Sequence, residues 1–319
     1  LDFGLLNDRI GVTFDWYRTD TKYILFEKSL PYGAGGYASS PFKIWSNVGE
    51  TRNTGVELSV TSHNFIGPKF TWDTTLAFST NKEEVIKTTS EGPLQFGDYY
   101  LIPGEAVKTY YGYKYLGIWG TAQAEEAAKY GQKPGQVHVA EKGEPNYKLS
   151  TDDYYVLGNA TPKWSGSLLN NFSYKDFDLS VLLIARWDWT IPYGLTGWYR
   201  TDGINSSPMI CDYWTPENQN ARFPRPDASI SNGQDQYQQW ANYFDGSYLK
   251  VKTVTLGYTL PKKWLNTLKI DRARIYFTAS NPFIWTKCDY LKDYDPEKGG
   301  DDDDAPLSKQ YVFGINISF

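Results

Sequence analysis

The sequence predicts an all-β protein, an antiparallel transmembrane β-barrel of which about nine strands are present, and three observations predict it. The chain ends on nine residues in which Tyr311, Phe313, Ile315, Ile317 and Phe319 alternate with Val312, Gly314, Asn316 and Ser318. A strand apolar on one face and small or polar on the other, with a free edge, invites aggregation in water. A bilayer covers the apolar face, and neighbouring strands satisfy the backbone. Secondly, aromatic residues make up 17% of the 319 residues, with 26 Tyr, 16 Phe and 12 Trp, yet the mean hydropathy is negative. No stretch approaches the run of about 20 apolar residues that a membrane helix needs. Barrel strands produce this combination, because alternate residues face water and aromatic girdles mark the two interfaces. Thirdly, short and long connections alternate along the chain.

Period-2 alternation places the strands in order. Leu1-Asp-Phe-Gly-Leu-Leu6 reads as a strand already under way, without a leader segment. Ile10, Val12, Phe14 and Trp16 then alternate with Gly11, Thr13, Asp15 and Tyr17, and Val56, Leu58 and Val60 alternate with Gly55, Glu57, Ser59 and Thr61. Phe70, Trp72, Leu76 and Phe78 oppose Thr71, Asp73, Thr75, Ala77 and Ser79. Further strands are expected at 161–175, 246–260 and 271–285, and one in which Phe177, Leu179, Val181, Leu183 and Trp187 oppose Asp178, Ser180, Arg186 and Asp188. The adjacent Leu168 and Leu169, and the spacing at Leu249 and Val251, blur two of these patterns.

Short turns are expected at 7–9, 66–69, 175–176 and 261–270, and long segments at 30–46, 88–160, 191–245 and 287–308. The alternation is strict if 88–160 is a single excursion. Short turns belong on the periplasmic side of an outer-membrane barrel and long loops on the extracellular side, which sends the last strand downward. An odd strand count starting in mid-strand implies strands upstream. The expectation is therefore that residues 1–319 are the C-terminal part of a plugged barrel of about 22 strands. The alternatives are an autonomous barrel of roughly eight to ten strands, or a soluble or surface glycan-binding β-protein.

Composition excludes several functions. A net charge of −5, with no basic stripe, argues against nucleic acid as a partner. His63 and His138 are the two histidines, and neither has a serine, cysteine or carboxylate at a spacing that suggests a triad or a zinc site, so no enzyme and no cofactor are expected. Cys211 and Cys288 fall in segments outside the membrane, where they are either bridged or two free thiols. Arg186 and Asp188, two apart on the lumen face, are placed to form a lumenal ion pair or part of a contact with a plug, the other reading being a solvated wall pair.

The 191–245 segment carries the materials of a sugar site, which needs aromatic faces beside amides and carboxylates. Trp198, Tyr199, Trp214, Trp240 and Tyr243 are the candidate substrate-binding residues. The same aromatics would also serve as the packing of a long ordered loop.

Several runs resemble the SusC/RagA-type TonB-dependent transporters of Bacteroidetes. They are Asn47-Val-Gly-Glu-Thr-Arg-Asn-Thr-Gly-Val-Glu-Leu58, Pro103-Gly-Glu105, Tyr111-Gly-Tyr-Lys-Tyr115, Gly117-Ile-Trp119 and Leu157-Gly-Asn-Ala-Thr-Pro-Lys-Trp164. Tyr248-Leu-Lys-Val-Lys-Thr-Val-Thr-Leu-Gly-Tyr258, Asn281-Pro-Phe283, Tyr294-Asp-Pro-Glu297 and the terminal Phe319 complete the series in family order. The resemblance implies an outer-membrane transporter whose N-terminal part supplies the plug, the first strands and the contact to TonB-ExbB-ExbD. It implies a SusD-type surface lipoprotein over the extracellular mouth, oligosaccharide or peptide cargo, and room for a dimer of transporter–lipoprotein pairs. It also gives Phe319 the role of a barrel assembly signal. One departure matters: the family's calcium-like Asp-x-Asn-x-Asp-Gly run is replaced at 139–153 by a segment interrupted by Lys142, Pro145 and Tyr147, so no calcium site is carried over there. The candidate cation ligands are instead Asp295, Glu297, Asp301 and Asp302, whose other reading is a solvated acidic loop tip.

Overall fold

A computed structural model describes residues 1–30, 32–34, 36, 37, 40–47, 49–89, 92–192, 212–225, 235–266, 270–292, 294–299 and 307–319. Its frame is one antiparallel sheet of nine strands. These are β1 (Asp2–Leu5), β2 (Ile10–Thr21), β3 (Gly49–Ile66), β4 (Phe70–Thr88), β5 (Trp164–Tyr174), β6 (Phe177–Trp187), β7 (Tyr248–Thr259), β8 (Arg272–Thr286) and β9 (Gln310–Ser318). Each pairs with its neighbours in chain order. This is a partial barrel wall, open at β1 and β9.

Pairing turns the alternation into continuous bands. Phe3, Val12, Val60, Leu76, Leu168, Leu183, Val251 and Phe283 lie opposite one another across eight strands. A second band joins Trp72, Phe172, Leu179, Leu256, Phe277 and Phe313. Both lie on the face that presents Phe313, Ile315 and Trp285 outward. Nearer the long connections the same face carries an indole ladder, with Trp187 stacked between Trp164 and Trp285 at 6.0 and 5.9 Å. Such aromatic pairs bind across strands, and their position suits an interfacial girdle. Among the described residues no helix is long and apolar enough to cross a membrane, which leaves crossing by strands untouched.

The other face is mostly small or polar with a few tyrosines and aliphatic residues, and some of its positions are glycine because a neighbouring side chain lies across them. The Tyr17 ring covers Gly55 to reach Asn81, and the Tyr276 ring covers Gly314; a Cβ at Gly55 would meet the Tyr17 ring at 2.4 Å, and one at Gly314 the Tyr276 ring at 2.2 Å. Leu169 faces this lumen side opposite Leu182 and Thr75, so the two adjacent leucines of β5 simply point opposite ways. The blurred pattern at 249–251 has a local cause. The β6–β7 pairing skips Lys252, and the β7–β8 pairing skips Asn281 and Pro282 opposite it, a double bulge in which Asn281 adopts φ 52°.

The connections divide as expected. Short ones span 6–9, 67–69, 175–176 and 260–271; Leu6, Asn7 and Asp8 in the first adopt φ of 56°, 56° and 61°. Long ones span 22–48, 89–163, 188–247 and 287–309. Residues 89–163 form a single excursion, since none of their strands joins the nine-stranded sheet.

Candidate functional site

Described parts of three long connections, 89–163, 188–247 and 287–309, build a second body over one end of the wall. Tyr154–Asn159, Thr109–Tyr113, Tyr99–Leu101 and Leu94–Phe96 form a four-stranded sheet in that order, and Tyr115–Ile118 pairs with Val137–Val139 as a hairpin. Two apolar clusters anchor them. Ile118, Val137, Val139, Trp214 and Ala221 form one, with Trp240 packed against it. Trp189, Ile191, Phe223, Phe244, Tyr248, Leu291 and Tyr294 form the other, where the loops meet the wall. Arg222 joins the two: its guanidinium lies 4.2 Å from the Tyr115 ring centroid and 4.8 Å from that of Phe244, and it donates to the carbonyls of Ala241 and Tyr243. A cation held between two ring faces and two carbonyls fixes the 212–225 segment onto the Gln238–Asn242 turn.

The small sheet is tiled with tyrosine. Tyr99 packs on Tyr110 and Tyr100 on Tyr111, at 5.2 and 5.3 Å, and Tyr154 stands edge-on to both Tyr111 and Tyr113. Tyr243 stacks on Trp240 at 6.0 Å and 13° and meets the edge of Tyr110 at 5.2 Å. Gly112 makes room for the indole of Trp240, which a Cβ there would meet at 1.9 Å. Lys142 sits over the Tyr155 and Tyr111 rings at 5.0 and 5.7 Å. Burial pushes the phenols of Tyr113 and Tyr243 up to about 12 and raises that of Tyr110 further, so all three stay protonated donors at any physiological pH. The half-exposed faces of Tyr100, Tyr111, Tyr113, Tyr154 and Tyr155 thus offer apolar rings and phenol hydroxyls side by side, with one ammonium group.

The expected site residues are distributed unevenly. Trp240 and Tyr243 come together in the aromatic cluster. Trp214 does not present a face to a ligand: it is 5% exposed in the loop core, and its buried indole Nε1 has no hydrogen-bond partner among the described residues. Trp198 and Tyr199 lie outside the described residues, as do Cys211, Asp301 and Asp302. Whether Cys211 and Cys288 are bridged or free therefore lies there with Cys211; Cys288 is half-buried. The tyrosines at 99–100, 110–113 and 154–155 were not singled out as a site from sequence, although their crowding into short strands was the available signal.

Asp295 and Glu297 bind cations of the protein's own. Lys250, 1% exposed at its side chain, pairs with Asp295 and with Glu297 at 2.7 Å, and Lys252 donates to both Glu297 oxygens at 2.7 and 2.9 Å. Burial works against ionisation of Glu297, but the two lysines outweigh it and hold its carboxyl below the usual range. The expected Arg186–Asp188 pair is corrected, because Asp188 adopts φ 58° and pairs with Lys163 instead. In the 139–153 segment, Asp153 accepts from the backbone N–H groups of Lys142 and Ser150 at 3.0 and 2.8 Å, so it stabilises the loop itself. Phe319 is 85% exposed beyond the end of β9.

No protein-family model matches the chain. Along its whole length it is similar to TonB-dependent receptor P3 of Formosa agariphila, at 28% identity over all of this chain and 33% of that protein. It is also similar to TonB-dependent receptor SusC of Bacteroides thetaiotaomicron, at 25% identity over all of this chain and 31% of that protein. The SusC/RagA-type resemblance holds for the whole chain. In a structure of the RagAB peptide transporter, all of this chain finds a counterpart at TM-score 0.78 and 24% identity, covering 34% of that chain, which shows the shared fold. The chain spans about a third of the length of the curated relatives it matches. Those relatives are receptors and transporters rather than enzymes.

Proposed function

We propose that residues 1–319 form the C-terminal part of the barrel of an outer-membrane, TonB-dependent importer. The observation that carries this reading is the polarity of the molecule. Four short turns close one end of a lipid-facing wall, while at the other end the described parts of three long connections, 89–163, 188–247 and 287–309, pack into an aromatic body. In this reading the rest of the polypeptide supplies further strands, to about 22, together with a lumen plug and the contact to TonB-ExbB-ExbD. A SusD-type lipoprotein covers the mouth, and the assembly doubles as a dimer of such pairs. The cargo is an oligosaccharide or a peptide. Tyrosine and tryptophan faces beside hydroxyl groups suit either, since sugar C–H faces and peptide side chains both stack on rings while their polar groups take hydrogen bonds.

Two measurements test the proposal on the full-length protein. A folded barrel shows heat-modifiable mobility on a gel and partitions into detergent with the outer membrane; extraction in plain buffer would sink the reading. Uptake of the cognate nutrient should disappear when the gene is deleted. It should fall about tenfold with Trp240→Ala, as loss of one stacking face costs on the order of 1 kcal/mol or more, with heat-modifiability unchanged.

A further inference from the structure

Among the described residues, a lumen-side cation at the loop end of the wall, Arg186, is left without a counter-charge. Arg186 stands on the lumen face at the loop end of β6, in a register row that reads Asp15, Glu57, Ser79, Ser165, Arg186, Tyr248 and Thr286 from β2 to β8. Nearby on the lumen side, Lys250 and Lys252 are occupied by Asp295 and Glu297, and further along the wall Arg274 is occupied by Asp178 at 2.5 and 2.8 Å. Among the described residues Arg186 has no carboxylate partner, because Asp188, two residues on, turns away to Lys163.

The surroundings of Arg186 form a place for an occupant. A recess of about 260 Å³ opens beside it, lined on the lumen side by Ala77, Ser79, Ser165, Ser167, Ile184 and Tyr248. Small residues leave the space. The Ser79 and Ser165 hydroxyls, 2.8 Å apart, supply hydrogen-bonding groups on its floor. A guanidinium beside hydroxyls in a partly enclosed recess matches a carboxylate, to which it can donate two parallel N–H bonds. The same row disfavours an anion at its other end, since Asp15 and Glu57 face each other directly across β2 and β3.

We propose that this recess is an anion-recognition subsite that takes a carboxylate carried by the cargo as it passes from the aromatic loop body into the lumen. Arg186 is the residue that binds it, and Ser79 and Ser165 position it. The inference deepens the import reading and rests on it: it adds that the cargo is acidic, or is selected for an acidic group.

Phenylglyoxal labelling of arginines, read by mass spectrometry on the full-length protein in outer-membrane vesicles, tests the recess. Arg186 should label readily without ligand. A galacturonate trimer should slow that labelling at least tenfold, while a galactose trimer should leave it unchanged. Equal effects of the two probes, or none, would overturn the proposal. So would an Arg186 that fails to label in the absence of probe, because a carboxylate of the protein itself would then hold it. Labelling of Arg272, at the opposite end of the wall, serves as the control that the reagent enters. The two readings fail separately: a deletion strain that still takes up the nutrient refutes import, whereas the labelling pattern reports on the recess alone.

Discussion

The wall and the loop body use aromatic residues in opposite ways. On the wall, rings lie in cross-strand rows and remain exposed: Phe313 is 83% exposed and Trp16 62%. In the loop body, rings meet edge to face and stacked in three dimensions, and Phe223 there, like Tyr248 where the body meets the wall, has no exposed surface. Buried apolar residues are concentrated in the loops and at their junction with the wall, so most of the protein-internal packing lies outside the sheet. The wall takes its order from hydrogen-bonded ladders and from lipid; the loop body must supply its own core. A lesion in one region should therefore leave the other standing.

The largest effect is expected from Phe223→Ala, which empties a fully buried site and should cost about 3–5 kcal/mol of loop-body stability. Limited proteolysis should then cut the 212–225 segment while the strands stay protected; loss of heat-modifiable mobility instead would show that the two regions fold as one. On the wall, Leu168→Arg places a charge in the middle of the apolar band and should cost about 2–4 kcal/mol. Ser167→Arg, one residue away on the lumen face, should cost little. Urea unfolding in vesicles compares them, and equal costs would mean that the face assignment is reversed. Gly112→Ala drives a methyl group into the Trp240 ring and should cost about 1–3 kcal/mol, confined to the loop body.

The smallest effect is a pH dependence. Glu297 has its folded pKa below the ordinary 4.5, so its contribution is present above that value and is lost as pH falls through the folded value. Hydrogen exchange across 287–299 should quicken on acidification below about 4.5, with the wall unaffected. Lys252→Met should blunt that response.

The wall was legible in the sequence because its code is local: with period 2 and a polar lumen, each strand declares its faces from its own residues. The two places where the pattern blurred mark a residue pair split between faces, at Leu168 and Leu169, and the bulge at Lys252. The loop body was less legible because its contacts are not local. Asp295 and Glu297 look like free acids until Lys250, 45 residues away in sequence from Asp295, is brought beside them. Trp214 and Trp240 look alike in sequence, yet one became core and the other a half-exposed ring, a distinction made only by the segment each packs against. Arg186 and Asp188 shared a face by alternation, but a positive φ at Asp188 ended it.

The glycines under Tyr17 and Tyr276 carry a consequence for size. Each leaves a gap into which a ring from the adjacent strand drops, so the two strands engage like a tooth and a notch. Sliding either pair by one residue would leave the ring without its notch and the gap unfilled. The stagger between neighbouring strands, which together with strand number sets the girth of a closed barrel, is thus written at Gly55 and Gly314 as the absence of a side chain.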